Sequence, residues 1–191
     1  MDGSDEGRVK WAVEETIKKF GRLDVLINSA IAGSSGIPLI DQSKDDFARA
    51  IDSGLYATFF FMKYAFPYLR EAEGSVINFA SGAGLSGNAG QSSYAAAKEA
   101  IRGLSRVAAT EWGPYNINVN LVAPLVMSEK LAAWREEYPE MYEKNVGAIP
   151  LGRFGDAEKE IGRTCVFLAS DDAKYITGDT IMLQGGAGMR P

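Results

Sequence analysis

Ser75-Val-Ile-Asn-Phe-Ala-Ser81 is a short apolar run that ends in a hydroxyl, and its length and β-branched content predict a strand over 75–80. A Gly- and Ser-rich loop follows, after which Ser92 or Ser93 caps a helix predicted to run to about Trp112, where Gly113 and Pro114 stop it. Ile117 to Val122 is the next strand. A strand, a long helix and a second strand form the unit of a parallel sheet.

Working outward from that unit repeats the alternation. Upstream, Ser4 before Asp5 and Glu6 predicts a capped helix, with Val9, Val13, Ile17 and Phe20 at helical spacing and Gly21 as its stop. Asp24 to Asn28 has the pattern of a strand buried on both faces. After a loop holding Gly33, Gly36 and Pro38, Ser43 with Asp46 resembles a capping box, and Phe47, Ile51, Leu55 and Phe59 continue one helical face toward Pro67. Downstream, Ser128 to Asn145 is charged, aromatic and interrupted by Pro139, which predicts a helical lid over a pocket. Asp156 to Ala169 reads as a helix with Ile161, Val166 and Leu168 inward, and Thr180 to Leu183 as a fourth strand before Gly185-Gly186. The expected fold class is α/β: a parallel sheet of about four strands with helices on both faces, in one domain over residues 1–191.

Composition removes whole classes of function. Lys and Arg total 20 against 25 for Asp and Glu, a net charge of −5, which argues against a nucleic-acid partner. There is no histidine and only one cysteine, Cys165, so His-dependent nucleophile systems and ordinary zinc sites drop out. A carboxylate-only Mg²⁺ or Ca²⁺ site remains formally open. Cys165 is expected to be a small core residue. The acidic opening is unlike a signal peptide, and the run Leu55 to Met62 is too short to span a bilayer, so the expected location is the cytoplasm, with no membrane partner.

In an open parallel sheet ligands bind beyond the carboxyl ends of the strands, which draws attention to Asn28 and Ser81. Tyr94 and Lys98, four apart on the predicted helix, share a face and can approach one ligand. A phenol is a poor proton shuttle at neutral pH, but a nearby ammonium favours the phenolate, so the pair reads as an acid–base device. Ser81, at the neighbouring strand end, can hold and polarise a carbonyl or hydroxyl. Asn28 suits either a ligand contact or a structural strand-end cap. The aromatic stripe Trp134, Tyr138 and Tyr142 suits a substrate pocket or simple packing of the lid.

These residues carry a resemblance to the short-chain dehydrogenases/reductases, nicotinamide-dependent oxidoreductases of Rossmann-like fold. The matching segments are Arg22 to Asn28, Ser75 to Ser81, Tyr94-Ala-Ala-Ala-Lys98, Ile117 to Pro124 and Pro150 to Gly155, with Phe167 to Ser170, Ile176 to Asp179 and Gly185-Gly186. The resemblance implies that Tyr94 is the general acid/base, that Lys98 binds the cofactor ribose and tunes Tyr94, and that Ser81 orients the substrate carbonyl. It places Asn28, Pro124 and Met127, with Tyr94 and Lys98, on NAD or NADP, and makes Asp2 the counterpart of an adenine-contacting Asp. It also implies a small carbonyl or alcohol substrate and a homodimer or homotetramer built through the long helices around Phe59 and Tyr94 and through the C-terminal region.

Several positions depart from the family pattern. The opening strand, glycine-rich turn and next βα unit, roughly 60 residues, are not in this sequence, so the fold is expected to lack its first strands and present an exposed edge at Val25-Leu26-Ile27. Ile31 stands where the family has Gly, Leu125 follows Pro124 where Gly is usual, and Glu129 displaces or replaces the usual Thr or Ser. Gly54 stands where an active-site Asn is frequent. Gly82-Ala-Gly84-Leu-Ser-Gly87 satisfies G-x-G-x-x-G, but its helix is expected to start several residues late, which argues against a dinucleotide turn there. A second reading stays open: a cofactor-free protein on the same scaffold, either a proton-transfer catalyst using Tyr94 and Lys98 or a binding partner.

Overall fold

Four parallel strands form the floor of the molecule in the computed structural model, which describes residues 2–33 and 35–189, Lys130 by its backbone only. They are β1 (Val25–Asn28), β2 (Ser75–Phe79), β3 (Asn118–Pro124) and β4 (Thr180–Leu183), in the order β1-β2-β3-β4. The register sets Asn28 beside Asn78, Phe79 beside Val122, and Val122 beside Ile181.

Successive side chains of a strand alternate in face, so each strand seeds two cores. On one face Val76 and Val119 meet Met62, Ala65 and Leu69 of α3 (Ala57–Ala72) and Ala108 of α5 (Ser92–Trp112). On the other, Ile77 and Val122 meet Cys165 and Leu168 of the helix that includes α8 (Arg163–Leu168). Cys165 is thus a core residue, as its type suggested, and its burial pushes the thiol pKa up. The buried amides of Asn118 and Asn120 donate to the carbonyls of Lys174 and Ile176, which ties the approach to β4 onto β3.

The helix α1 (Glu6–Phe20) is capped by Asp5, whose carboxylate accepts from the Arg8 amide at 3.0 Å, and not by Ser4. Ser4 is engaged one step earlier, by Asp2. Gly21 ends the helix at φ +78, a conformation that costs glycine little. Ser43 caps α2 (Lys44–Ala50) as expected, accepting from the Asp46 amide. The stretch that follows does not stop at Pro67. A π-helical turn over Ile51–Tyr56 passes into α3, which runs through the proline to Ala72. Pro67 and Lys63, the residue whose carbonyl loses its amide partner there, both face solvent, so water can satisfy the freed group.

Three further expectations are corrected. β1 is an edge strand with Ile27 48% exposed, not a strand buried on both faces. The loop after β2 contains a short helix, α4 (Gly82–Ser86). Val166 is 67% exposed and Cys165 takes its inward place, because a π-helical turn over Ala157–Gly162 widens the turn ahead of α8 and shifts the face that meets the sheet. The predicted lid is two helices, α6 (Glu129–Glu137) and α7 (Pro139–Gly147), hinged where Pro139 opens the second. Among the described residues no helix is long and apolar enough to cross a membrane.

Candidate active site

A cleft of about 1070 Å³ opens beyond the carboxyl ends of the strands. Its floor and near wall are Ser81, Gly82 and Tyr94. Ile31 and Gly33 come from the segment after β1, Pro124 and Leu125 from the end of β3 and the residue after it, and Gln184 from the end of β4. Leu131 of α6 and Asn145 of α7 close it from above. Phe154 reaches it from a loop held by Glu160, whose carboxylate accepts from the Arg153 guanidinium and the Asp156 amide. Those hydrogen bonds hold the Glu160 pKa down to about 2.

Ser81 follows β2 in extended conformation and caps α4, its Oγ accepting from the Ala83 amide at 3.2 Å. Because that bond uses an oxygen lone pair, the hydroxyl proton stays available to a group in the cleft. The start of α5 is held from outside. The Gln42 carboxamide oxygen accepts from the Ser93 amide and the Ser92 hydroxyl, so Gln42 caps the helix and neither serine caps it with its own side chain. This fixes the first turn, which carries Tyr94, with Lys98 one turn on.

Lys98 is 3% exposed, and its ammonium donates to the Phe79 carbonyl at 2.6 Å, at the end of β2. The nitrogen lies 5.8 Å from the centre of the Tyr94 ring. Burial lowers the Lys98 pKa from its ordinary 10.5 to about 8. Among the described residues the protein uses one of the three ammonium N–H donors, and the Tyr94 hydroxyl has no protein partner. A buried cation with spare donors beside a free phenol matches vicinal hydroxyls such as those of a ribose, so these side chains fit the nicotinamide-ribose end of a dinucleotide.

The structure therefore brings Ser81, Tyr94 and Pro124 to the wall of one cleft, with Lys98 directly behind Tyr94. Three other candidates do not line it. The Asn28 side-chain amide donates to Oδ1 of Asn78 at 2.8 Å, and buried Asn78 passes the chain on to Ser105 and thence to the Ile101 carbonyl. Met127 holds its own loop, its amide donating to Gly155. Asp2 is exposed beside α1, where the hydrogen bonds from Ser4 hold its carboxyl below the usual range. Sequence reasoning missed Gln184 and Arg49, both on the cleft wall. The rule that drew attention to Asn28 and Ser81, a polar residue just past a strand, also points to Gln184.

The glycine-rich stretch after Ser81 needs a corrected reason. Its helix does not start late, since α4 begins at Gly82 itself. What argues against a phosphate cradle is that the space over Gly82 is filled: a Cβ there would lie 2.3 Å from the Gln184 amide nitrogen.

Comparison with known proteins identifies the family. The family model described as enoyl-(acyl carrier protein) reductase matches residues 1–188. The chain belongs to the short-chain dehydrogenase/reductase family, oxidoreductases of Rossmann-like fold that use NAD(P) to interconvert carbonyls and alcohols. It is 63% identical over 186 residues to the 12alpha-hydroxysteroid dehydrogenase of Clostridium sp. (strain ATCC 29733 / VPI C48-50), covering 97% of this chain and 72% of that protein. Among solved structures it is similar to ElxO with NADP bound (TM-score 0.92, 31% identity, 98% of this chain and 76% of that one). NAD+-bound xylitol dehydrogenase is also similar (TM-score 0.89, 28% identity, 97% and 76%).

Proposed function

We propose that this chain interconverts a ring hydroxyl and ketone of a steroid, with Tyr94 as general acid/base, Lys98 as its electrostatic partner and ribose ligand, and Ser81 as the donor that positions the substrate oxygen. The observation that carries the reading is the buried Lys98 ammonium behind Tyr94 at the wall of a cleft that also holds Ser81. The steroid is supported by the 63% identity to a 12alpha-hydroxysteroid dehydrogenase and by the size of the cleft, just above the roughly 300–1,000 Å³ usual for ligand pockets. Ile31, Leu125, Leu131, Ile149 and Phe154 supply the apolar part of a mixed lining, on which fused rings can pack.

When bound, the nicotinamide supplies or accepts the hydride. In the reductive direction the Tyr94 hydroxyl gives its proton to the carbonyl oxygen, and the adjacent cation stabilises the phenolate left behind. Ser81 donates to the same oxygen, which holds the carbonyl carbon in place and spreads the charge that develops. In the oxidative direction both transfers reverse. In this reading Pro124 borders the nicotinamide end, Asn28 serves it through the positioning chain to Asn78, Met127 through the loop its amide holds, and Asp2 belongs to the adenine end.

The same reading takes residues 1–191 as one domain, a homodimer or homotetramer, and a cytoplasmic location. Support for association comes from a groove of about 290 Å³ between α3 and α5, lined by Phe59, Phe66, Leu104, Val107 and Trp112. Phe59 and Val107 are 40% and 55% exposed there.

Turnover of a 12α-hydroxysteroid with NAD+ and with NADP+ tests the proposal, alongside Tyr94→Phe. The expected loss in the variant is a hundredfold or more, with nucleotide affinity kept within a few fold. Undiminished turnover by Tyr94→Phe, or a wild-type chain that binds neither nucleotide, would overturn it.

A further inference from the structure

Gln184 is 9% exposed, yet it lies on the wall of the cleft. Its carboxamide makes no hydrogen bond to another described residue, although it carries two donors and two acceptor lone pairs. Its position is fixed by two glycines. A Cβ on Gly82 would come within 2.3 Å of its nitrogen, and a Cβ on Gly188 within 2.2 Å of its oxygen. The amide therefore packs against two backbone positions where any side chain would displace it. Gly82 is the residue after Ser81, and both line the cleft with Gln184, so the carboxamide packs on the backbone next to the residue whose hydroxyl positions the reacting oxygen. The carboxamide faces the cleft, which is the side from which a partner can come.

We propose that Gln184 is a specificity-determining residue that binds a second oxygen of the substrate, a hydroxyl or ketone on the carbon next to the one that reacts. The inference rests on the alcohol-dehydrogenase reading above and names what that site selects. A carboxamide suits this task because it accepts from a hydroxyl and donates to a ketone, so it holds the neighbouring group in either oxidation state. A substrate lacking that oxygen leaves the amide unpaired when the cleft closes around an apolar ring, which penalises it relative to the dioxygenated one.

The test compares two pairs of probes: a 12α-hydroxysteroid with and without an 11-hydroxyl, and cyclohexane-1,2-diol with cyclohexanol. Each is measured by steady-state kinetics with NAD(P)+ and by calorimetric binding in the presence of the reduced nucleotide. The wild-type chain is expected to favour the dioxygenated member of at least one pair by about tenfold, the worth of one neutral hydrogen bond. Gln184→Met, similar in volume but unable to form the bond, erases that preference by raising KM for the dioxygenated probe about tenfold while kcat stays within twofold and the mono-alcohol is unaffected. Gly82→Ala, which displaces the amide without removing it, is expected to reproduce the effect. Gln184→Met losing both probes of a pair equally would show a merely structural residue and overturn the proposal, as would a preference that survives the substitution. Discrimination seen in binding without any turnover upholds Gln184 as a ligand contact and defeats the oxidoreductase reading. Turnover without discrimination does the reverse, and a chain that binds none of the four probes overturns both.

Discussion

Ile31 occupies the space that a side chain on residue 54 would need. A Cβ at Gly54 would meet the Ile31 Cδ1 at 2.7 Å and its Cγ1 at 3.1 Å, with Ala97 of α5 at 3.6 Å behind. Two departures from the family pattern, an Ile where Gly is expected and a Gly where Asn is expected, are thus one exchange of volume between the segment after β1 and the π-helical turn over 51–56. The isoleucine fills one side of the cleft and the glycine makes room for it.

That coupling predicts non-additive stabilities. Gly54→Ala alone overpacks the site and is expected to cost about 1–3 kcal/mol, whereas with Ile31→Ala the same change should cost little, since the clashing atoms are gone. Urea unfolding of the two single variants and the double variant measures the interaction. Strictly additive values would show that Ile31 swings aside freely and that the two positions are independent.

The second prediction separates the two roles open to Asn28. Its amide donates to Asn78, which is fully buried and also bonds Ser105 and the Met62 sulfur. Removing the donor in Asn28→Ala leaves the Asn78 oxygen short of its partner, at an expected cost of about 1–3 kcal/mol in stability. If Asn28 serves the site only through this chain, nucleotide affinity should fall by no more than a few fold. A loss of nucleotide binding at unchanged stability would instead make it a direct ligand.

The parallel sheet was legible in the sequence because its signals are local: β4 falls on Thr180–Leu183 as expected, and α5 spans the predicted Ser92–Trp112. What was not legible depends on contacts distant in sequence. Gln42 caps α5 from 50 residues away, so the serines at 92 and 93 looked like the cap themselves. Both π-helical turns shift a helix face by the room their neighbours leave, and Val166 was misplaced for that reason. In the candidate site, the grouping of Ser81, Tyr94 and Lys98 follows from strand-end position and helical spacing. The depth of Lys98 does not, because it is set by the Phe79 carbonyl and the walls around it. Gln184 was passed over because its neighbours Gly185 and Gly186 read as a turn.

The third prediction concerns association. Val107, 55% exposed, and Phe59, 40% exposed, flank the apolar groove between α5 and α3. A lysine in place of Val107 would face burial of a charge if that groove meets a second copy, and only solvent if it does not. Sedimentation or light scattering should show the wild-type chain as a dimer or larger and Val107→Lys shifted toward monomer. An unchanged mass would place the interface elsewhere.

The fourth prediction follows from the depth of Lys98. Its pKa falls from 10.5 to about 8 on folding, so between those values the unfolded chain holds more protons than the folded one, and stability must rise with pH across that window. Below about pH 8 the folded protein carries a desolvated ammonium whose cost, about 3 kcal/mol at most by the size of the shift, is fully present. Above pH 8 that cost fades as the amine loses its proton in the folded state, and it is gone by about pH 10.5. Replacing Lys98 with methionine removes the ionisation, so the variant should gain stability over the wild type at pH 7, and the gap should narrow steadily toward pH 10. Activity should move the other way, because in the proposed mechanism methionine removes the cation that stabilises the charge left on Tyr94 once it has given up its proton: the variant is expected to be at least a hundredfold slower at pH 7. Equilibrium unfolding of both proteins from pH 6.5 to 10.5 measures the first effect and a pH–rate profile the second. A stability gap that does not change across the window would show that Lys98 reaches water and does not carry its charge into the core.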